Sequence, residues 1–321
     1  MIRAVLPPFR LISSAVVVAA VALTAGCAPA TPAATADGRT VTTVLGDVTV
    51  PAEIESVVVI EGRRDLDIVL SLGLPLAGYP FDEEGSLDLD APLGDDLAAA
   101  EADGAEGIFL ADDIDLEAIA KVAPSVIVSR VDDVEPILDE LQAIAPVIAI
   151  GEQDTSTWQD DLSLVAEATG TEARATELIA AYDTRVAELA STYADVLAST
   201  TIAPVSIDGE GSEVRPSRLL SLVLRDVGAT PSTSFAEAID NGEGVEFGPE
   251  QLVAGFGDAD AIVALVNEPD VWKSVQEAPL WRQLPAVRDG HVVRSDKRTH
   301  EGAALTAMWS LDVVEDLLQT L

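Results

Sequence analysis

Cysteine occurs once in this chain, at Cys27, and histidine twice, at His291 and His300. A lone cysteine forms no internal disulfide. Two imidazoles with no thiol in the body of the chain argue against a clustered transition-metal site. Aromatics make up 4% of the 321 residues, and 18 Lys and Arg stand against 56 Asp and Glu, a formal net charge of -38. That balance disfavours nucleic acid as a partner, because phosphate binding needs a basic footprint. Solubility or a saline habitat accounts for most of the acid excess. Glycine-rich phosphate loops, Gly-x-Ser-x-Gly elbows and His-Glu-x-x-His pairs are absent from the sequence, and no convincing catalytic constellation replaces them. The chain therefore reads as a non-enzyme.

The first ten residues hold Arg3 and Arg10 and no acid, and residues 11–25 are apolar and small. That run is too short for a comfortable membrane span of roughly 20 residues, and it has the layout of a secretory signal. Thr24-Ala25-Gly26-Cys27 resembles the bacterial lipobox, with Thr24 where Leu is most common. The expectation is cleavage before Cys27 and a diacylglycerol on its thiol, which holds the protein at the outer face of the cell membrane. Residues 27–37 are Cys27 followed by Ala, Pro and Thr with a closing Asp, a flexible tether by composition.

Beyond the tether, short β-branched runs alternate with helical segments. Runs at 56–60, 76–79, 107–110, 126–129 and 147–150 read as strands. Segments at 66–72, 115–123 and 134–144 read as helices, with Asp115 as a cap and Pro124 as a stop. A hairpin over 40–50 is expected to turn at Gly46-Asp47. Residues 171–197 contain neither Pro nor Gly, and Leu178, Tyr182, Val186, Leu189 and Tyr193 keep helical spacing. This predicts one rod of about 40 Å, long enough to cross between lobes. Strands at 203–207, 261–266 and 291–294 follow, with helices at 216–227, 250–256, 280–284 and 302–321. The fold class expected is α/β, with two lobes built on mostly parallel sheets and joined by a single long helix. The expected organisation is a signal peptide 1–26, the tether 27–37, an N-terminal lobe 38–156, an interlobe helix region 157–198 and a C-terminal lobe 199–321.

Ligands of parallel sheets bind beyond the carboxyl ends of the strands. Arg63 and Arg64 follow the 56–60 run, and Arg130 follows 126–129. Arg215 and Arg218 come after 203–207, Trp272 and Lys273 after 261–266, and Lys297 and Arg298 after 291–294. About half of the scarce cations thus gather at one end of the sheets. Any one of them alone reads as a surface ion pair of little consequence. Together they predict a basic cleft in an acidic body, with arginines matched to planar carboxylate or catecholate oxygens. Tyr79, Phe81, Trp272 and Trp309 are candidate apolar walls, and His300 is a candidate contact. Glu117 and Glu250 each open a helix that leads to a buried strand, where the helix dipole alone favours an acid.

The order of Ser56-Val57-Val58-Val59-Ile60, residues 67–78, 115–129, Glu250-Gln251-Leu252, Asp260-Ala261-Ile262-Val263 and 279–292, behind a lipobox, resembles one family. It is that of the solute-binding components of ABC importers for ferric siderophores, cobalamin and haem. The resemblance implies two α/β lobes with a shallow ligand cleft and limited hinge motion. It implies a monomer that performs no chemistry and needs no cofactor, iron being present only within the bound chelate. Its partners would be a permease with its ATPase, and Glu117 and Glu250 match the acids that dock on permease arginines. An arginine-rich cleft in a chain poor in aromatics suits the ferric-siderophore branch. Haem or cobalamin binding in the same family is the alternative, followed by a surface-anchored hydrolase or chelatase on a similar two-lobe fold. The acidic stretch 82–103 departs from the pattern and reads as a ligand-shaping segment or a solvated loop.

Overall fold

Val57, Val58 and Val59 have no accessible surface, as a strand covered on both faces requires. They form the centre of the first of two sheets. The computed structural model describes residues 38–82, 87–111 and 113–321. The expected signal peptide, the tether and Cys27 lie outside the described residues. Strands β1 (Gly38–Thr43) and β2 (Gly46–Pro51) pair antiparallel, with Thr43 opposite Gly46. The turn is therefore Val44-Leu45, two residues earlier than expected, and Gly46 begins the return strand at φ +104°, a region that favours glycine.

The first lobe continues through β3 (Val57–Val59), α1 (Arg64–Ser71), β4 (Leu76–Phe81), α2 (Gly94–Ala102) and β5 (Glu106–Leu110). It then runs through α3 (Leu116–Val122), β6 (Val126–Arg130), α4 (Val131–Val134), α5 (Leu138–Gln142) and β7 (Val147–Ile150). All five sheet strands are parallel, in the order β5-β4-β3-β6-β7, so the chain reverses direction across the sheet between β3 and β6. Asp115 caps α3 by accepting from the amides of Glu117 and Ala118 at 2.9 and 3.0 Å. The single helix expected over 134–144 is instead α4, a tight turn at Glu135–Ile137 and α5. Pro136 has no amide to give the helical ladder, which accounts for the break.

Helices α6 (Trp158–Thr169), α7 (Glu172–Thr192) and α8 (Ala194–Ser199) link the two sheets. The 21 residues of α7 bury Ala175, Tyr182 and Leu189, one residue in seven along one face. Their span is about 31 Å, shorter than expected, because Tyr193 leaves helical geometry and splits α8 away. Tyr182 stands edge-on to Trp158 of α6 with centroids 5.2 Å apart. Its hydroxyl donates to Asp226 at 2.6 Å, so α7 is tied to the second lobe as well.

That lobe comprises β8 (Thr201–Ile207), β9 (Ser212–Val214), α9 (Leu219–Asp226), β10 (Thr230–Pro231), α10 (Thr233–Asn241), β11 (Val245–Phe247) and α11 (Leu252–Phe256). It ends with β12 (Ala261–Leu265), α12 (Pro269–Glu277), α13 (Pro285–Asp289), β13 (Val292–Ser295) and α14 (Ala304–Leu318). Strands β8, β12 and β13 are parallel, and β10 adds in parallel beside β8. Beyond β8 the sheet turns antiparallel through β9 and β11. The fold is thus α/β with parallel sheet centres. One apolar core runs through both lobes, and a second fills the other face of the first sheet. Among the described residues no helix is long and apolar enough to cross a membrane.

The lobes are pinned at one buried joint. Asp67 of α1 accepts from the amides of Ala303, Leu305 and Thr306 at 2.7, 3.1 and 2.9 Å, and from the Ser71 hydroxyl at 2.8 Å. Those amides open α14, whose first turn has no partners within its own helix. A carboxylate from the first lobe therefore caps the last helix of the second.

Candidate functional site

Glu61 to Arg63 follow β3 and Arg130 ends β6, the two strands that flank the reversal of the first sheet. Arg130 donates from Nη1 to Glu301 Oε1 at 2.8 Å, and its Nε lies 3.3 Å from Glu61 Oε1 and 3.5 Å from Asp133 Oδ2. Arg63 reaches the other oxygen of Glu301 at 3.4 Å with 61% of its side chain exposed, whereas the Glu301 side chain is 4% exposed. One buried carboxylate of the second lobe thus bridges two arginines of the first. Burial, with Asp65 and Glu301 close by, pushes the Glu61 carboxyl well above the usual range in spite of Arg130. Burial works against ionised Glu301 too, but the Glu61 carboxyl, Arg130 and Arg63 hold it below the usual range.

Farther along the seam, Arg218 donates from Nη2 to Glu213 at 2.7 Å and from Nη1 to Nδ1 of His300. A guanidinium has no lone pair to offer, so Nδ1 accepts and the neutral ring carries its proton on Nε2. Burial, then Arg218, pushes His300 down to about 3. Gln153 of the first lobe donates to the His300 carbonyl at 3.0 Å, a further link across the seam. Arg218 and His300 line a polar cavity of about 520 Å³ with Asp208, Asn267 and Phe247.

The other expected ligand contacts lie elsewhere. Arg64 is 4% exposed and donates to Asp161 at 2.7 Å and to the Ser156 carbonyl at 3.2 Å, inside the first lobe. Tyr79 is buried in the core with its hydroxyl on Glu101, and burial pushes it up to about 12. Trp272 lies on α12, not in a loop past β12. There it meets Trp281 edge-on at 5.8 Å and carries Arg294 over its ring at 5.9 Å. Pro269 at the start of α12 marks the helix. Lys273 is exposed on the same helix, Phe81 is exposed at the end of β4, and Trp309 of α14 shares a cavity with Leu89 and Pro92. Arg215 pairs with Glu213 at 2.8 Å and with Glu246 at 3.6 Å, beside a separate small cavity. Arg298 binds the Asp296 carboxylate and donates to the Leu89 carbonyl at 2.8 Å.

The basic groove expected from sequence is therefore an alternation of paired acids and bases. Arg63, Arg130 and Arg218 are brought to the seam, each against a carboxylate. The acidic stretch takes part in the same pattern: Asp82 reaches Lys297 at 3.2 Å and Asp88 reaches Arg294 at 2.9 Å. Glu117 and Glu250 are both exposed, and neither has an ion pair among the described residues. Glu61, Asp67 and Glu301 carry much of the seam and were not expected from the sequence. In a chain with 56 acids, nothing in their spacing marks them, and only the fold brings Glu61 and Glu301 to the arginines and Asp67 to the amides of α14. Among the described residues no group of three or more His, Cys, Asp or Glu is placed to hold a metal ion.

Known proteins share this fold. A probable siderophore-binding lipoprotein of Bacillus subtilis, YfiY, is 25% identical over 286 residues, 83% of each chain. The siderophore periplasmic binding protein from the fuscachelin gene cluster of Thermobifida fusca superposes with a TM-score of 0.68 at 25% identity, covering 85% of this chain and 99% of that one. The triscatecholate siderophore binding protein FeuA of Bacillus subtilis, in complex with ferri-bacillibactin, gives a TM-score of 0.71 at 18% identity over 88% of this chain and 98% of its own. The family described as periplasmic binding protein matches residues 107–299, more than half of the chain. By that match this chain belongs to the periplasmic binding protein family, whose members bind substrates.

Proposed function

We propose that this protein captures an iron(III)-siderophore-type anionic chelate between its lobes and delivers it to an ABC importer. The observation that carries the reading is the convergence of Arg63 and Arg130 on one carboxylate of the opposite lobe, where the first sheet reverses. Two guanidiniums already arranged around a carboxylate suit the oxyanions of a chelate, which exchanges for Glu301 on entry. Arg218 and His300 extend the site into the polar cavity. The relatives named for siderophores favour a ferric chelate over haem or cobalamin. The protein works without chemistry of its own, and iron enters only with the cargo.

Delivery needs a permease with its ATPase. Glu117 and Glu250, exposed at helix starts of opposite lobes, suit docking on permease arginines. The leader and Cys27 support a lipid anchor at the outer face of the cell membrane. The test is a tryptophan-fluorescence titration with a panel of iron-loaded and iron-free chelators. Saturable quenching by iron-loaded anionic chelates, and not by the iron-free forms, is the expected result. Silence toward every ferric chelate, beside tight binding of another solute, rejects the assignment.

A further inference from the structure

Beside the polar cavity lies an apolar one that the charged groups leave unexplained. Its volume is about 460 Å³, within the usual span of small-ligand sites. Leu252, Val271, Val275, Pro279, Leu280 and Trp281 form its walls. The two cavities share Ile207, Asp208, Gly211 and Ser212 as a partition. That partition is the turn between β8 and β9. Asp208 accepts from the amides of Glu210 and Gly211 at 2.7 and 2.8 Å, and its own amide donates to the Gly211 carbonyl at 3.2 Å. Gly209 and Gly211 give the turn no side chains. A Cβ on Gly209 would meet nothing within 4 Å, whereas one on Gly211 would lie 2.7 Å from the Phe247 carbonyl oxygen. The partition thus narrows to a glycine turn that the Asp208 carboxylate holds in a fixed shape.

We infer that the apolar cavity takes a hydrocarbon arm of the ligand whose charged head occupies the polar one. The cargo is then an amphiphile, a ferric chelate bearing an acyl or aryl substituent. This inference rests on the ferric-chelate reading above. A head alone would leave the second cavity's apolar walls in water, and an arm laid across the glycine turn covers them. Continuity favours the ligand over a segment of the permease: a protein side chain entering from outside needs no shared wall with the charged site.

The test compares two ferric tris-catecholate chelates, anionic at the head, built on one amine scaffold that is acylated with acetyl or with octanoyl. It uses wild type and Ser274→Phe, which adds bulk at an exposed position on the rim of the apolar cavity. In wild type the octanoyl form should bind at least tenfold more tightly. Ser274→Phe should remove that difference and leave the acetyl form unchanged. Equal affinities in wild type, or a preference that survives Ser274→Phe, overturn the inference. Loss of transport in Ser274→Phe with the octanoyl preference intact assigns the cavity to the membrane partner and also overturns it. If neither chelate binds, the parent reading loses support, and 1-anilinonaphthalene-8-sulfonate decides on the cavity alone. Fluorescence enhancement that Ser274→Phe abolishes supports a hydrocarbon site, and no enhancement, or one that persists in the variant, overturns it.

Discussion

The two lobes share a parallel plan and diverge at their edges. In the five-stranded sheet of the first lobe every strand runs the same way, and the carboxyl ends of β3 and β6 deliver charge: Glu61, Arg63 and Arg130. In the second, the antiparallel β9 and β11 extend the sheet beyond β8, and the turn into β9 walls both neighbouring cavities. Parallel strands place side chains at a shared rim, and an antiparallel return folds backbone over that rim to enclose space. For the chelate proposed above, the first lobe would supply the grip and the second the room.

The comparison is broken most forcefully at the joint between the lobes. Asp67→Ala strands two buried amides and one partly buried one at the start of α14 and should cost about 3–5 kcal/mol in urea unfolding. Uncoupled lobes should then unfold in two transitions; a single transition with little loss would mean that the shared core alone joins them. Asp161→Ala, next in size, leaves the Arg64 guanidinium buried without its carboxylate and should cost about 3 kcal/mol. Chelate affinity should not change, and a drop would return Arg64 to the ligand site. Arg130→Ala should weaken chelate binding about ten- to hundredfold, or roughly 1.4–2.7 kcal/mol, as read by titration. Arg215→Ala should change it less than about threefold, given its partly exposed pairs with Glu213 and Glu246. Equal effects would erase the distinction between grip and periphery.

A smaller and continuous effect comes from pH. His300 is neutral in the fold at about 3 against an ordinary 6.5. Its contribution to stability is complete above the unfolded value and falls as pH drops from there toward 3, by at most about 1.4 kcal/mol per unit. Glu61 runs the other way: its contribution is complete below its ordinary 4.5 and is lost as pH rises through its raised value. Unfolding midpoints of wild type and His300→Gln between pH 7 and 4 isolate the histidine. The variant should lose less stability over that range, and parallel curves would remove His300 from the balance.

The alternating pattern of β-branched runs and helices was enough to read the parallel centres, because strands buried on both faces must be apolar throughout. Val57, Val126 and Ile262 announced themselves in that way. The edges were harder. Strand β9 is Ser-Glu-Val and β11 is Val-Glu-Phe, each too short for a period to emerge, and α12 buries only Val275, too little for an apolar face to show. At the site, strand ends located Arg63, Arg130 and Arg218, since position past a strand is a local property. Whether a guanidinium faces the seam or a buried aspartate is not local: Arg63 and Arg64 are adjacent, yet Arg64 turns inward because Asp161 and the Ser156 carbonyl await it. Glu301, which answers Arg63 and Arg130, and Asp161, which answers Arg64, lie 97 to 238 residues away along the chain, beyond the reach of any spacing rule.

The carboxylate of Glu301 has a consequence for unloading. Any anion that takes over Arg63 and Arg130 does so against a resident competitor that never diffuses away. Capture is weaker than bare guanidiniums would allow, and departure is easier by the same amount, since the cations fall back onto a waiting counter-charge instead of standing naked toward solvent. A carrier that must give up what it holds is served by such a placeholder.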